Sequence, residues 1–223
     1  MSAHRDLGRM ALEILGEHFS LEKKDIGADA RLSKNGMVFE TEVYSLGYAG
    51  QLCILRMKAM LGLMKMETAV VTPGSRDLPL LNLDWVGALG KETQIAELYD
   101  TQLAPYPAGA LAEFDAVKRQ GEDLEEIASE PRWYDAILYP CSFHKAGKGL
   151  SERFSSMAEA FLRVYAAQLA RSVSCDSAKK AEKNQAFAQR LFDEGGPAVD
   201  QVTKLFGPET AKRLILRHMY GLK

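Results

Sequence analysis

The sequence predicts an α/β protein, a three-layer α/β/α sandwich around a central antiparallel sheet of about six strands. Between residues 37 and 101, apolar and polar residues alternate with a period of two over several short runs. Each run ends in a turn signal, such as residues 47–50 or the Pro73-Gly74 pair, and short strands joined by tight turns give an antiparallel meander. On either side of this block apolar residues recur at helical spacing, which supplies enough helix to cover both faces of the sheet.

Taken in order, residues 3–19 read as a surface helix whose stripe is Leu7, Met10, Ala11, Ile14, Leu15 and His18. Residues 20–36 are polar and contain glycine, which predicts a loop or a short helix. A strand begins at Met37, with Val38, Glu40, Glu42 and Tyr44 opposing Phe39, Thr41 and Val43. The next, 52–60, sets Ile54, Arg56 and Lys58 against Cys53, Leu55 and Met57. The third, 64–71, sets Lys65, Glu67 and Ala69 against Met66, Thr68 and Val70. Thr72-Pro73-Gly74-Ser75 is turn chemistry, because Pro fixes one φ and Gly allows a positive one. In the fourth strand, 78–85, Leu81 and Leu83 alternate with Asn82 and Asp84, which puts Asp84 on a polar face. A fifth strand, 94–101, carries Ile95, Glu97 and Tyr99 on one side.

Pro105-Tyr106-Pro107 breaks the chain, residues 109–129 read as helix, and 133–143 as a sixth strand with Pro140 at an edge or bulge. A long helix follows over 151–172 and another over 177–192. Two short helices, 198–206 and 208–220, close the chain, the second entered through Pro208 and Glu209. If neighbouring strands pair, Glu40, Glu42, Arg56, Lys58, Lys65, Glu67, Asn82 and Asp84 collect on one face. That face is either solvated or the polar floor of a covered cleft.

The length of 223 residues suits one domain spanning 1–223. With 47% hydrophobic and 26% charged residues, the chain can bury a large core without disulfides or metal. A net charge of −2 gives no basic field, so nucleic acid is not an expected partner. Cys53, Cys141 and Cys175 are far apart and form no metal-binding spacing, which suits a reducing, cytoplasmic location. The N-terminus leads into an amphipathic helix and no apolar run reaches membrane-spanning length, so no membrane is expected as a partner. Lys145-Ala-Gly-Lys-Gly lacks the spacing of a phosphate-binding loop.

The stretch Asp77-Leu-Pro-Leu-Leu-Asn-Leu-Asp84 resembles the central hairpin of the ferredoxin-dependent bilin reductases, the family of phycocyanobilin:ferredoxin oxidoreductase, phytochromobilin synthase and red chlorophyll catabolite reductase. Tyr99-Asp-Thr-Gln102 is similar to that family's Asp-Leu-Gln-Pro strand end, and residues 137–145 to its strand ending in Phe-x-Arg-Pro. Residues 202–220 resemble its closing helix. The resemblance covers roughly residues 37–222 as an order of segments with few identical residues. It implies a central antiparallel sheet between helices, in agreement with the unaided reading. It also implies reduction of a linear tetrapyrrole, of bilin or chlorophyll-catabolite type. No cofactor would be tightly bound; reduced ferredoxin or flavodoxin would deliver single electrons, and the protein would supply protons to a substrate radical.

On that resemblance Asp84 falls where the family carries its proton-donating aspartate. The chain departs from the family at Glu67, where a His is usual, at Cys53 and Leu55, where a His-x-Glu is usual, and at Lys145, which replaces an Arg. The chemistry needs a flat apolar slot, a carboxylic acid kept protonated by burial, and cations for the propionates. Asp84 and Glu67, expected on one face, are the proton-donor candidates. His144 is a candidate relay, and Asp193 a candidate second acid. Arg56, Arg76 and Lys145 are candidate propionate partners, and Met66 with Met57, Met60 and Met64 a candidate adaptable floor. Each has a plainer reading: a turn cap or a pair with Arg76 for Asp84, an ion pair for Glu67, solvated surface for the cations, core packing for the methionines. The same scaffold also suits a non-enzymatic tetrapyrrole-binding protein, or an enzyme for another conjugated substrate.

Overall fold

In the computed structural model, which describes residues 4–127 and 131–222, five long strands run in sequence order across the middle of one antiparallel sheet. They are β3 (Met37–Ser45), β4 (Gly50–Ala59), β5 (Met64–Pro73), β6 (Leu80–Ala88) and β7 (Lys91–Tyr99). Shorter strands extend both ends: β1 (Glu22–Lys24) and β2 (Arg31–Lys34) pair with β3, and β9 (Phe143–Lys148) pairs with β7 and carries β8 (Glu125–Glu126). The described residues therefore form nine strands where the sequence predicts about six. Two of the additions fall in the span read as a loop, where exposed side chains leave no alternating pattern to see.

Three helices cover one face: α1 (Leu7–Gly16), α2 (Ala108–Arg119) and α3 (Ser151–Arg171). The other face carries α4 (Ser177–Glu194), α5 (Pro197–Phe206) and α6 (Pro208–Lys212), the last running on into a π-helical turn over Arg213–Met219. The molecule is thus a three-layer α/β/α sandwich.

Under α1 and α3 the apolar stripes of helix and strand meet without a gap. Leu7, Leu15, Ile54, Leu83, Phe154, Phe161 and Tyr165 are all fully buried there. Gly8 lets α1 lie directly on β4, since a Cβ at that position would stand 2.4 Å from the Ile54 methyl. We call this the packed face.

Residues 133–143 do not form the expected sixth strand. Trp133–Ile137 is a 3₁₀ turn, started by the Asp135 carboxylate, which accepts a hydrogen bond from the Arg132 amide at 2.7 Å. Pro140 then has no N–H to give to a ladder, and pairing begins only at Phe143.

A larger correction concerns the charged residues, which do not share one face. In the β5–β6 register Thr68 stands opposite Asp84 and Glu67 opposite Trp85. Because side chains alternate, Glu67 points to the packed face with Arg56, and Asp84 points to the other. Alternation fixes faces within a strand; between strands the parity depends on the length of residues 74–79, which no turn type sets in advance.

Candidate active site

On the face under α4 and α5, a row of side chains crosses five strands in register: Thr41, Leu55, Thr68, Asp84 and Ile95, ending on β9 at His144. The next row on the same face carries Cys53, Val70, Asn82 and Glu97. The covering helices do not close over these rows. They leave a cavity of about 290 Å³, walled by Leu55, Met66, Val86 and Ile95 below and by Leu191, Val199, Met219 and Tyr220 above. Met219 ends the π-helical turn and Tyr220 follows it; such turns recur at functional sites because the extra residue re-aims the side chains beyond it.

The polar groups of this slot form one network. Thr68 donates its hydroxyl to Asp84 Oδ1. Asn82 Nδ2 donates to Asp84 Oδ2 at 2.8 Å and to Glu97 Oε2 at 3.0 Å, so one amide bridges two carboxylates. Tyr99 donates to the same Glu97 oxygen at 2.6 Å, and His144 Nε2 stands 2.9 Å from Glu97 Oε1. Glu97 itself is only 5% exposed. Burial, with the Glu97 charge adding to it, pushes the Asp84 carboxyl up to about 6 against the hydrogen bonds from Thr68 and Asn82. The hydrogen bond to Glu97 raises the His144 imidazole, outweighing burial, and so favours its charged form. The site therefore holds an acid that titrates near neutrality beside a histidine–glutamate pair. At the rim, Arg132 donates to the Tyr134 hydroxyl and lies 5.6 Å from that ring's centre.

Of the residues singled out from sequence, the fold brings Asp84, His144 and Met66 to this cavity. The others lie elsewhere. Glu67 accepts the Leu7 amide at 2.6 Å, a carboxylate at the N-terminus of α1. Arg56 is held by Asp6 at 2.8 Å and Glu42 at 2.9 Å on the same packed face. Lys145 points to the packed face too, opposite Gln94, and pairs with Glu126. Arg76 donates to the Ser172 carbonyl and, at 3.2 Å, to the Tyr48 hydroxyl. Asp193 is exposed near the end of α4 and accepts from Gln189 at 2.9 Å.

The sequence reading passed over Glu97, Asn82, Thr68, Tyr99 and Arg132 as site residues. Glu97 was legible as a side chain on the Ile95–Tyr99 side of its strand. Its burial depends on α4 and the π-helical turn, which no local pattern reveals.

No protein-family model and no curated protein matches the chain. Among solved structures, it is similar to phytochromobilin synthase from tomato, crystallised in complex with biliverdin, with a TM-score of 0.79 at 12% identity. The likeness covers 96% of this chain and 81% of that one. The shared architecture is the helix-covered antiparallel sheet that the sequence resemblance implied.

Proposed function

We propose that the chain reduces a linear tetrapyrrole, using electrons delivered singly by an external carrier such as reduced ferredoxin or flavodoxin, with Asp84 as proton donor. One observation carries this reading: a carboxyl that burial pushes up to about 6, on the floor of an apolar slot, in a fold shared with a protein that holds biliverdin. Adding two hydrogens across one C=C takes two electrons and two protons. The first electron gives a substrate radical anion, and a proton from Asp84 neutralises it; the second electron and proton complete the reduction. Two features support re-protonation through His144: its side chain keeps 21% exposure, and it contacts Glu97, which Asn82 joins to Asp84. Arg132, the one arginine or lysine lining the cavity among the described residues, is the cation for a propionate, a role expected from the sequence for Arg56, Arg76 and Lys145.

The slot is at the small end of the roughly 300–1,000 Å³ that ligand sites span. The α4–α5 connection contributes Gly196 to its wall. Anaerobic titration with biliverdin followed by reduced ferredoxin tests the proposal. A bound-pigment spectrum that shifts stepwise to a reduced bilin is expected. Binding without reduction would favour a pigment carrier, and no spectral change would favour another conjugated substrate.

A further inference from the structure

Because β2 to β7 run antiparallel in order, the β2–β3, β4–β5 and β6–β7 turns lie together at one end of the sheet. This end is unusual in three independent ways. First, it is apolar where it should be wet. Met60, Leu61 and Leu63 on the β4–β5 turn are 55%, 105% and 62% exposed, and Leu89 on the β6–β7 turn is 74% exposed. These are four of the seven large apolar side chains exposed among the described residues, and the two turns touch, with the Leu89 amide 3.4 Å from the Leu63 carbonyl.

Second, its backbone is strained. Asn35, Met60, Leu61 and Leu89, with φ of 53°, 52°, 56° and 49°, are the non-glycine residues in the left-handed region among the described residues, and all four are in these turns. That region suits Gly and Asn; bulky apolar residues are rare there. Third, its charges repel. Lys58 stands opposite Lys65, and Lys91 opposite Lys148, although like charges directly across a ladder are unfavourable. With Lys34 they make a basic ring on a chain of net charge −2, and among the described residues only Lys91 of the five has an ion-pair partner, Glu125. Exposed leucines, left-handed leucines and facing lysines each cost the isolated fold something. Strain of this kind persists at sites of function.

We infer that this end of the sheet is a contact surface for an anionic lipid bilayer. Met60, Leu61, Leu63 and Leu89 enter the interfacial layer, and the lysines lie against headgroup phosphates and carboxylates. A depression of about 250 Å³ between the two turns is lined by Leu63, Lys65, Leu89 and Lys91, with the Glu92 carboxylate in its wall taken up by the Leu150 amide and the Ser151 hydroxyl, and it offers a headgroup a seat beside the lysines. The shape favours lipid over protein. The apolar side chains are convex tips, not a groove, and a protein partner would need a matched hollow for each, whereas a bilayer receives them without one. No described helix is long and apolar enough to cross a membrane, so the association is with the surface only.

The test is co-sedimentation with vesicles of phosphatidylcholine alone and with an equal part of phosphatidylserine. The wild-type chain is expected to partition onto the phosphatidylserine vesicles, less so as salt rises. The pair Leu61→Asn and Leu89→Asn should lower partition at least tenfold with an unchanged or higher melting temperature, since Asn suits the left-handed backbone. Lys58→Gln and Lys65→Gln should each lower it about fivefold. Absence of partition at low salt, or partition unaffected by the Asn pair, overturns the inference. So does self-association, or retention on immobilised ferredoxin, that the Asn pair abolishes while vesicles bind nothing.

Discussion

The two faces of the sheet are built from the same strands, and each meets a buried or half-buried aspartate, Asp84 on β6 at one and Asp6 at the start of α1 at the other. On the packed face, burial would push Asp6 up, but hydrogen bonds from Arg56 and the Arg9 amide hold its carboxyl below the ordinary range. On the cavity face Asp84 has hydroxyl and amide donors and a second carboxylate near by, with no arginine or lysine bonded to it among the described residues, and its carboxyl rises to about 6. On the packed face Arg56 bonds both Asp6 and Glu42 beneath the start of α1. On the cavity face the carboxyl meets hydroxyl and amide donors instead, beside an open slot. Sequence type alone does not separate the two aspartates; what faces them does.

Several substitutions sharpen or break that contrast. The largest effect belongs to the sealed layer. Phe161, fully buried against Phe114 and Phe143, should cost about 3–5 kcal/mol as Phe161→Ala, read from urea unfolding. A loss under 1 kcal/mol would mean the packed face is not the denser one.

Next comes Asp84→Asn, where the expected sign is reversed. The folded carboxyl titrates near 6 and an unfolded one near 3.9, so between these values the folded state binds the extra proton and stability falls as pH rises. The wild type carries that cost in full at pH 7. Asp84→Asn should therefore be more stable than wild type by on the order of 2 kcal/mol at pH 7, and should lose that advantage below pH about 4. Urea unfolding at both pH values reads the difference. An Asn variant less stable at pH 7 would mean the carboxylate is compensated by groups not yet identified.

Glu67→Gln is the counterpart on the packed face. It removes the charge from the N-terminus of α1 but keeps an acceptor for the Leu7 amide, so a loss of about 0.3–1 kcal/mol in thermal or urea unfolding is expected. Pigment reduction by this variant should stay within about twofold of wild type, because 1.4 kcal/mol of transition-state stabilisation would be tenfold. A larger drop would return Glu67 to the site. At the slot itself the cost should be smaller than in the sealed layer: Met66→Ala on a wall that already faces a cavity should cost less than the roughly 2–5 kcal/mol of a sealed methionine, read from urea unfolding.

How much of this the sequence disclosed depends on whether a pattern is local. Alternation from Met37 to Tyr99 located the five long strands, and the Leu81–Asn82–Leu83–Asp84 alternation put Asp84 on the polar side of its own strand. Helical stripes located α1, α3 and α4, within a few residues of their ends. Parity between strands was not local. The residues 74–79 loop sent Glu67 and Asp84 to opposite faces, and the late start of β9 at Phe143 sent Lys145 to the packed face and its neighbour His144 to the cavity. Glu97 was hidden for a different reason. A carboxylate in an alternating strand looks solvated until distant elements cover it, and its partner His144 is far along the chain. The cation that reaches the slot, Arg132, sits on a 3₁₀ turn in a stretch that reads as strand.

One comparison tests the role of Asp84 most directly: anaerobic absorbance spectra of wild type and Asp84→Asn, each mixed with biliverdin and then with reduced ferredoxin. Both proteins should bind the pigment, since the slot is apolar and Asn keeps the shape of the side chain. Only the wild type should pass to a reduced bilin, with the variant slower by about 10²–10⁴-fold. Reduction by Asp84→Asn at the wild-type rate would contradict the assignment of Asp84, and failure of both proteins to bind would remove the pigment from the cavity altogether.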